Sequence, residues 1–208
     1  PIIWKLNRIR HYPEVLNSLS VVDIPWSQKK NVAVFRGIPT GEADRKLPPL
    51  ERCMTNPRCR LAYAAFNSTI VDAKLVALSS HKIGRFDDLI EKIPSIQDKA
   101  IKIPGQLKFK GIIMVEGNDV STGLKWALLS NSVVLMAKPT VSSWLMEEWL
   151  EPYVHYIPLR DDFSDVEKQT RWMLENDAKA QQISQRGQIW MKDLLFHKSA
   201  GEDEAMIN

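Results

Sequence analysis

The sequence lacks any run of about 18 apolar residues, so no membrane-spanning helix is expected. Its longest apolar stretches, Gly111–Val115 and Val133–Ala137, have the length of a strand. Cysteine is scarce: Cys53 and Cys59 form one C-x5-C pair, and the four histidines (His11, His81, His155, His197) do not cluster with them. That argues against a zinc site. The two thiols either close the short loop as a disulfide or stay reduced, and the reduced pair is the expectation. There is no large excess of one charge. Lys plus Arg is 28 and Asp plus Glu is 25, a net of +3 with the signs interspersed. A duplex-binding domain concentrates more positive charge than this, so no nucleic-acid partner is expected. Internal repeats, low-complexity blocks, G-x-G-x-x-G and G-x-x-x-x-G-K-[ST] are all missing, which removes a solenoid, a dinucleotide fingerprint and a P-loop. The chain opens Pro1-Ile2-Ile3-Trp4, without Met, a signal-peptide core or a cleavage site. The expectation is a chain whose natural start lies further upstream, located in the cytoplasm.

What is present is globular. Apolar residues make up 44% and charged residues 25% of 208 residues, enough for one large domain or two small ones. A short helix is predicted over Pro13–Leu19, with Pro13 suited to a first turn. A strand follows at Asn31–Phe35, then a loop punctuated by Gly37, Pro39, Gly41, Pro48 and Pro49. Asn56–Phe66 reads as a helix or a strand edge, Ile70–Leu75 as a strand and Phe86–Lys92 as a short helix. From there strands and helices alternate. Lys110–Val115 and Ser132–Met136 are buried strands, Val154–Ile157 a third, and Thr122–Ser130, Ser143–Leu150, Asp165–Asn176 and Ala178–Phe196 are helices. Such alternation, with strands apolar on both faces, predicts parallel β-α-β units in an α/β sheet. Ligands of such sheets bind at the carboxyl ends of the strands.

Three segments then carry candidate chemistry. Glu116-Gly117-Asn118-Asp119-Val120-Ser121-Thr122-Gly123 leaves a buried strand and enters a helix. Ser121 or Thr122 can cap that helix, its free N–H groups with Gly123 can cradle a phosphate, and Lys125 adds charge one turn in. The competing reading is an ordinary β-α loop with a good cap. Phe35-Arg36-Gly37, Thr40-Gly41 and Arg45 also follow a strand, and two guanidinium groups suit a diphosphate as well as they suit solvent. Glu147 and Glu148, in Trp144–Glu151, lie where a carboxylate can accept hydrogen bonds from ribose hydroxyls, or where an amphipathic helix exposes its acids. Trp26 and Trp126 read as core, and His155 as a packed, hydrogen-bonded histidine.

Taken in order, IPWSQKKNVAVFRG, the Thr40-Gly41 pair with Arg45, NPR at Asn56–Arg58, LKFKGIIMVEGNDVSTGLKWALLSNSVVL, SWLMEEWLEPYVHYIPLRDDFSDV and the spaced residues from Glu175 to Gly187 resemble one family. These are the CAP10/Rumi-type glycosyltransferases, glycosyltransferase family 90, and the EGNDVSTGLKW wording is nearer to the bacterial, algal and viral branch. The resemblance implies a GT-B-like fold, with a Rossmann-type parallel sheet flanked by helices and an N-terminal half that is truncated here. Residues 1–30 would be an arm or the remnant of an acceptor-side domain, 31–197 the UDP-sugar-binding domain and 198–208 a polar tail.

The resemblance also implies the chemistry: transfer of a sugar from a UDP-sugar to a glycan or lipopolysaccharide-like acceptor, with inversion and without a required metal. Xylose is the first expectation for the sugar and glucose the second. The donor contacts carried over are Ile38, the residue after the Phe-Arg-Gly triplet, and Arg45, with Asn118 to Gly123 as the second donor loop. Ile38 stands where the family has a polar residue. Gly123 stands where animal members carry a pyrophosphate-binding arginine, so Lys125, Arg45 or the helix N-terminus is expected to compensate. Glu147 and Glu148 match the acidic pair before Trp-Leu. The family's general base is an aspartate well before Phe35, and nothing here matches its motif. Asp23 lies too close, so no base is assigned. Two rivals stand beside this reading: a non-catalytic sugar-nucleotide or glycan-binding protein of the same fold, and a generic α/β enzyme using another nucleotide. Oligomeric state is not read from the sequence.

Overall fold

The computed structural model describes residues 15–41, 43–44, 46–76 and 86–196. Five strands form one sheet: β1 (Lys30–Gly37), β2 (Val71–Leu75), β3 (Phe109–Met114), β4 (Val133–Met136) and β5 (Ile157–Pro158). Their order is β2-β1-β3-β4-β5 and every neighbouring pair is parallel. The register sets Ala33 opposite Val71 on one side and Gly111 on the other, and Gly111 opposite Val133. Sequence order reverses between β1 and β3, because the chain runs outward from β1 to β2 and then returns to the far side of β1. In a doubly wound sheet the crevice outside the carboxyl ends at such a reversal is the ligand position.

The helices are α1 (Val15–Val22), α2 (Pro49–Thr55), α3 (Pro57–Ala64), α4 (Asp87–Lys92), α5 (Ile103–Gln106), α6 (Leu124–Leu129), α7 (Val166–Glu175) and α8 (Asp177–Phe196). They cover both faces, which is why the central strands are apolar without alternation. Leu61 and Ala65 at α3, Val166 and Met173 of α7 and the start of α8 pack on one face with Phe35, Ile113, Val115 and Leu135. Leu19 of α1, Leu124 to Leu128 of α6 and Met191 of α8 pack on the other with Val34, Ile112 and Met114. Trp26 is core as expected, and its Nε1 donates to the Asp177 carboxylate at 3.1 Å.

Several expectations need correction. Ser143–Leu150 is not a helix: only a single 3-10 turn forms, over Glu147–Trp149. Met146 before it is left-handed, at φ 55°, and a left-handed residue cannot propagate an α-helix. The strand expected over Val154–Ile157 is confined to Ile157–Pro158, because Tyr153 is also left-handed and the chain from Glu151 to Tyr156 turns back on itself. The choice left open at Asn56–Phe66 falls to helix α3, with Pro57 in its first turn and Asn56 as its cap.

The cysteines are joined, not reduced: Cys53 and Cys59 form a disulfide. Asn56 ends α2 and starts α3, and the sharp turn between the two helices brings the cysteine Cα atoms to 5.1 Å, within disulfide range. Both cysteines are fully buried against Leu75, Phe86, Leu89 and Ile96.

Candidate functional site

Two cavities open at the carboxyl end of the sheet, one on each side of the loop after β3. The first, about 300 Å³, lies over β3 and β4. Its walls include Arg60 of α3, Met136 to Thr140 after β4, Glu147, Asp161 and Phe163. The second, about 360 Å³, lies at the reversal between β1 and β3, bounded by Arg36 to Ile38, Thr40, Arg58, Gln106 and Asn118 to Gly123. Both share Gly117, Val120 and Ser121, so one loop forms the partition between them.

That loop is held in place by residues distant in sequence. Arg58 Nη1 donates to the Ile38 carbonyl at 2.9 Å, Nη2 to Val115 at 3.0 Å and Nε to Glu116 at 3.4 Å. One guanidinium therefore joins the loop after β1 to the loop after β3. Asn56 makes a second link. Its Oδ1 accepts from Cys59 N at 2.9 Å, capping α3, and its Nδ2 donates to Thr40 O at 3.0 Å. A third link is Gly41 N to Asn118 Oδ1 at 3.0 Å. Gly41 sits at φ 98°, where a side chain is strained. At Gly117 the need is for space: a Cβ there would lie 2.4 Å from Thr40 Oγ1 and 2.9 Å from Arg58 Nη2.

The expected site residues divide into three groups, with Glu148 apart from all of them. Ile38, Thr40, Asn118, Asp119, Val120, Ser121, Thr122 and Gly123 do line the second cavity, with Gly41 tied to its rim through Asn118. Ile38 contributes its carbonyl to Arg58, as an apolar side chain at that position allows. Helix α6, however, begins only at Leu124, with Gly123 before it and no side-chain cap. Neither Ser121 nor Thr122 caps it: Ser121 Oγ points to Met114 Sδ at 3.4 Å, and its carbonyl accepts from Leu124 N.

Glu116, Glu147 and Lys125 form the second group, engaged inside the protein. Glu116 accepts from Thr140 N at 3.0 Å, from Thr140 Oγ1 at 2.5 Å and from Val141 N at 3.3 Å, tying the β3 loop to the β4 loop. Glu147 accepts from Ser143 N at 2.6 Å and Ser143 Oγ at 2.7 Å, so ribose hydroxyls would have to displace these bonds. Lys125 is fully buried, with its Nζ 3.8 Å from Glu147 Oε1 and beside the Trp144 ring, and it lines neither cavity. Burial pushes its pKa down, against the opposing pull of Glu147 and Asp119. It therefore supplies no charge at the loop surface, contrary to the sequence expectation. Glu148 is exposed, lines neither cavity and bonds to the Ser142 hydroxyl, which holds its carboxyl below the ordinary range. Arg45 makes the third group and lies outside the described residues.

The other candidates are structural. Arg36 donates to Asp72 Oδ2 at 2.7 Å and Asp72 O at 2.8 Å, across the β1–β2 pair. Asp23 lies near the amino ends of the strands, away from the cavities, bonded to Lys29 Nζ at 2.5 Å and Asn131 N at 2.6 Å. It is a buried counter-ion to Lys29. His155 Nδ1 accepts from Glu151 N at 3.0 Å, the packed histidine expected. The sequence reading missed the bracing roles of Asn56 and Arg58 and the place of Arg60 in the wall of the first cavity. For Asn56 a signal existed, since Asn-Pro opening a helix is a cap followed by a first-turn proline. Arg58 and Arg60 follow only from the meeting of α3 with the strand ends. Among the described residues no three or more His, Cys, Asp or Glu side chains converge as a metal cluster would, and no helix is long and apolar enough to cross a membrane.

The parallel sheet, with cavities grouped around a β-α loop at its reversal, defines a Rossmann-type ligand-binding fold. The chain belongs to glycosyl transferase family 90, whose family model matches residues 4–199. It is 30% identical over 193 residues to the O-glucosyltransferase LpsA of Dichelobacter nodosus, covering 91% of this chain and 50% of LpsA. It is 28% identical to human protein O-glucosyltransferase 1, covering 85% of this chain and 40% of that protein. With the O-glucosyltransferase rumi of Drosophila pseudoobscura it shares 29% identity, covering 82% of this chain and 39% of rumi. The chain thus spans half or less of the length of these relatives. Among solved structures, sucrose-phosphate synthase from Thermosynechococcus elongatus superimposes with a TM-score of 0.56 at 11% identity, covering 97% of this chain and 49% of that one. That likeness agrees with the GT-B-like α/β fold expected from the sequence.

Proposed function

We propose that this chain is the donor-binding part of an inverting glycosyltransferase, and that it holds a UDP-sugar across the two cavities at the carboxyl ends of β1, β3 and β4. The observation that carries the proposal is the shared wall, Gly117 to Ser121, braced by Arg58 and Asn56 at the reversal of the sheet. A nucleotide and a sugar need adjoining subsites, and a diphosphate between them would lie against this partition. The three relatives named above are O-glucosyltransferases, which favours glucose over xylose as the sugar. The acceptor in this reading is a glycan or a lipopolysaccharide-like molecule, as the family resemblance of the sequence implies.

In the reaction an acceptor hydroxyl attacks the anomeric carbon, the bond from that carbon to the β-phosphate oxygen breaks, and UDP departs with the electron pair. The acceptor proton passes to a base. The part of this chain is to bind and orient the donor and to stabilise charge as it develops on the leaving diphosphate. Asp23 does not serve as the base, being fixed to Lys29 and Asn131. A second reading is a sugar-nucleotide-binding protein of the same fold that does no transfer.

A donor panel tests both. UDP-glucose, UDP-xylose, UDP-galactose and a GDP-sugar would be compared for thermal stabilisation and for slow hydrolysis. The transferase reading expects stabilisation by UDP-sugars alone and hydrolysis of one of them, with UDP-glucose first. Stabilisation without hydrolysis supports the binding-only reading, and equal stabilisation by GDP-sugars refutes both.

A further inference from the structure

We infer that Arg60 binds the diphosphate of the donor, supplying positive charge from α3 to the first cavity. The inference rests on the donor-binding reading above and adds a residue to it. Four cationic side chains line the two cavities: Arg36 and Arg58 the second, Arg60 and Lys138 the first. Arg36 is fixed to Asp72, with Asp98 at 3.5 Å, and its side chain is only 4% exposed. The guanidinium of Arg58 donates to three backbone carbonyls. Lys125, which the sequence suggested for this task, is buried behind Glu147 and reaches neither cavity. Arg60 and Lys138 remain.

Arg60 differs from Lys138 in being built into the wall. It is half-buried, and its Nε is shielded from solvent without a hydrogen-bond partner. Among the described residues none lies within 4.0 Å of its guanidinium as an ion-pair partner. A buried donor left unpaired is costly, and a guanidinium meets phosphate oxygens in a two-point, charge-assisted geometry. Arg60 also shares the first cavity with Glu116, Gly117 and Ser121, the stretch a diphosphate would cross. The acids of that cavity do not cancel it. Glu116 is bonded to Thr140 and Val141, and Glu147 to Ser143, with Lys125 behind it. Asp161 stands exposed at the rim, and the neighbouring Asp162, whose carboxyl feels the charge of Arg60, is exposed as well, so solvent and salt screen both.

The test is titration calorimetry of this chain with UDP, UMP and uridine, comparing the unsubstituted protein with Arg60→Ala and Arg60→Lys. Loss of a charge-assisted contact to phosphate weakens UDP binding about ten- to a hundredfold. Uridine affinity and melting temperature are expected to stay unchanged, and Arg60→Lys to recover part of the loss. Equal weakening of UDP and uridine would assign Arg60 to the nucleoside or to packing and overturn the inference. So would an unchanged UDP affinity in Arg60→Ala. Failure of the unsubstituted protein to bind UDP would overturn the donor reading itself, a result separable from any effect of the substitution.

Discussion

Lys125 Nζ lies 3.8 Å from Glu147 Oε1, with side chains 0% and 2% exposed. Both residues had the sequence position of donor contacts. The structure uses them instead as a buried ion pair that fastens α6 to the turn around Ser143. Separating such a pair leaves an uncompensated charge in the interior, so Glu147→Ala is expected to lower stability by about 3–5 kcal/mol. Urea denaturation measures this, and a midpoint equal to that of the unsubstituted protein would refute the assignment.

Arg58 is a positioning residue for both cavities. Arg58→Met removes three donors at once and leaves the Ile38, Val115 and Glu116 carbonyls without them. A loss of about 2–3 kcal/mol is expected, since hydrogen bonds from a charged donor are worth more than neutral ones. The distinguishing readout is hydrogen exchange. Amide protection should fall in the loops after β1 and β3 while the β4–β5 pair keeps its own. Uniform loss across the sheet would mark Arg58 as a general packing residue.

The disulfide closes the turn that carries Asn56 and Arg58, so it holds the braces of the site in register. Peptide mapping without reduction should recover Cys53 and Cys59 as one linked fragment. Replacing both by alanine is expected to cost about 2 kcal/mol, the loop-entropy value for so short a closure. It should also weaken UDP binding through the loosened Arg58. Stability insensitive to the double replacement would sink this account.

The pH prediction concerns His155. Burial lowers its pKa, an effect reinforced by Arg186 and opposed by Glu151. Protonation also requires its Nδ1 to give up the hydrogen bond from Glu151 N. The neutral ring is thus favoured in the folded state, and its contribution is fully present above the ordinary imidazole range near about pH 6.5. It is lost as pH falls through the depressed folded-state value. Melting temperatures measured between neutral and acid pH should drop more for the unsubstituted protein than for His155→Gln. Parallel curves would show that the ring titrates freely.

The parallel sheet was legible from local pattern, because β3 and β4 are short runs apolar on both faces and are followed by segments of helical length. The position of the site was legible for the same reason, since β-α loops after buried strands come together at one end of such a sheet. Residue roles were harder. Glu147 and Lys125 are separated by 22 positions (147 − 125) and carry nothing local to mark them as a buried pair. The turn at Ser143–Leu150 has helical composition, yet the Ser143–Glu147 bonds and a left-handed Met146 exclude the helix.

By itself, then, the sequence determined what periodicity and covalent neighbours control: the alternation of strands and helices, the loop after β3 and the family. Tertiary structure decided which charges face a ligand and which neutralise one another. It also decided that two cysteines six positions apart are joined and that Arg58 and Arg60, two positions apart, line different cavities. The physical reason is that burial, ion pairing and carbonyl satisfaction depend on which elements meet. The sheet order β2-β1-β3-β4-β5 brings α3 beside the ends of β1 and β3, a juxtaposition that no local window contains.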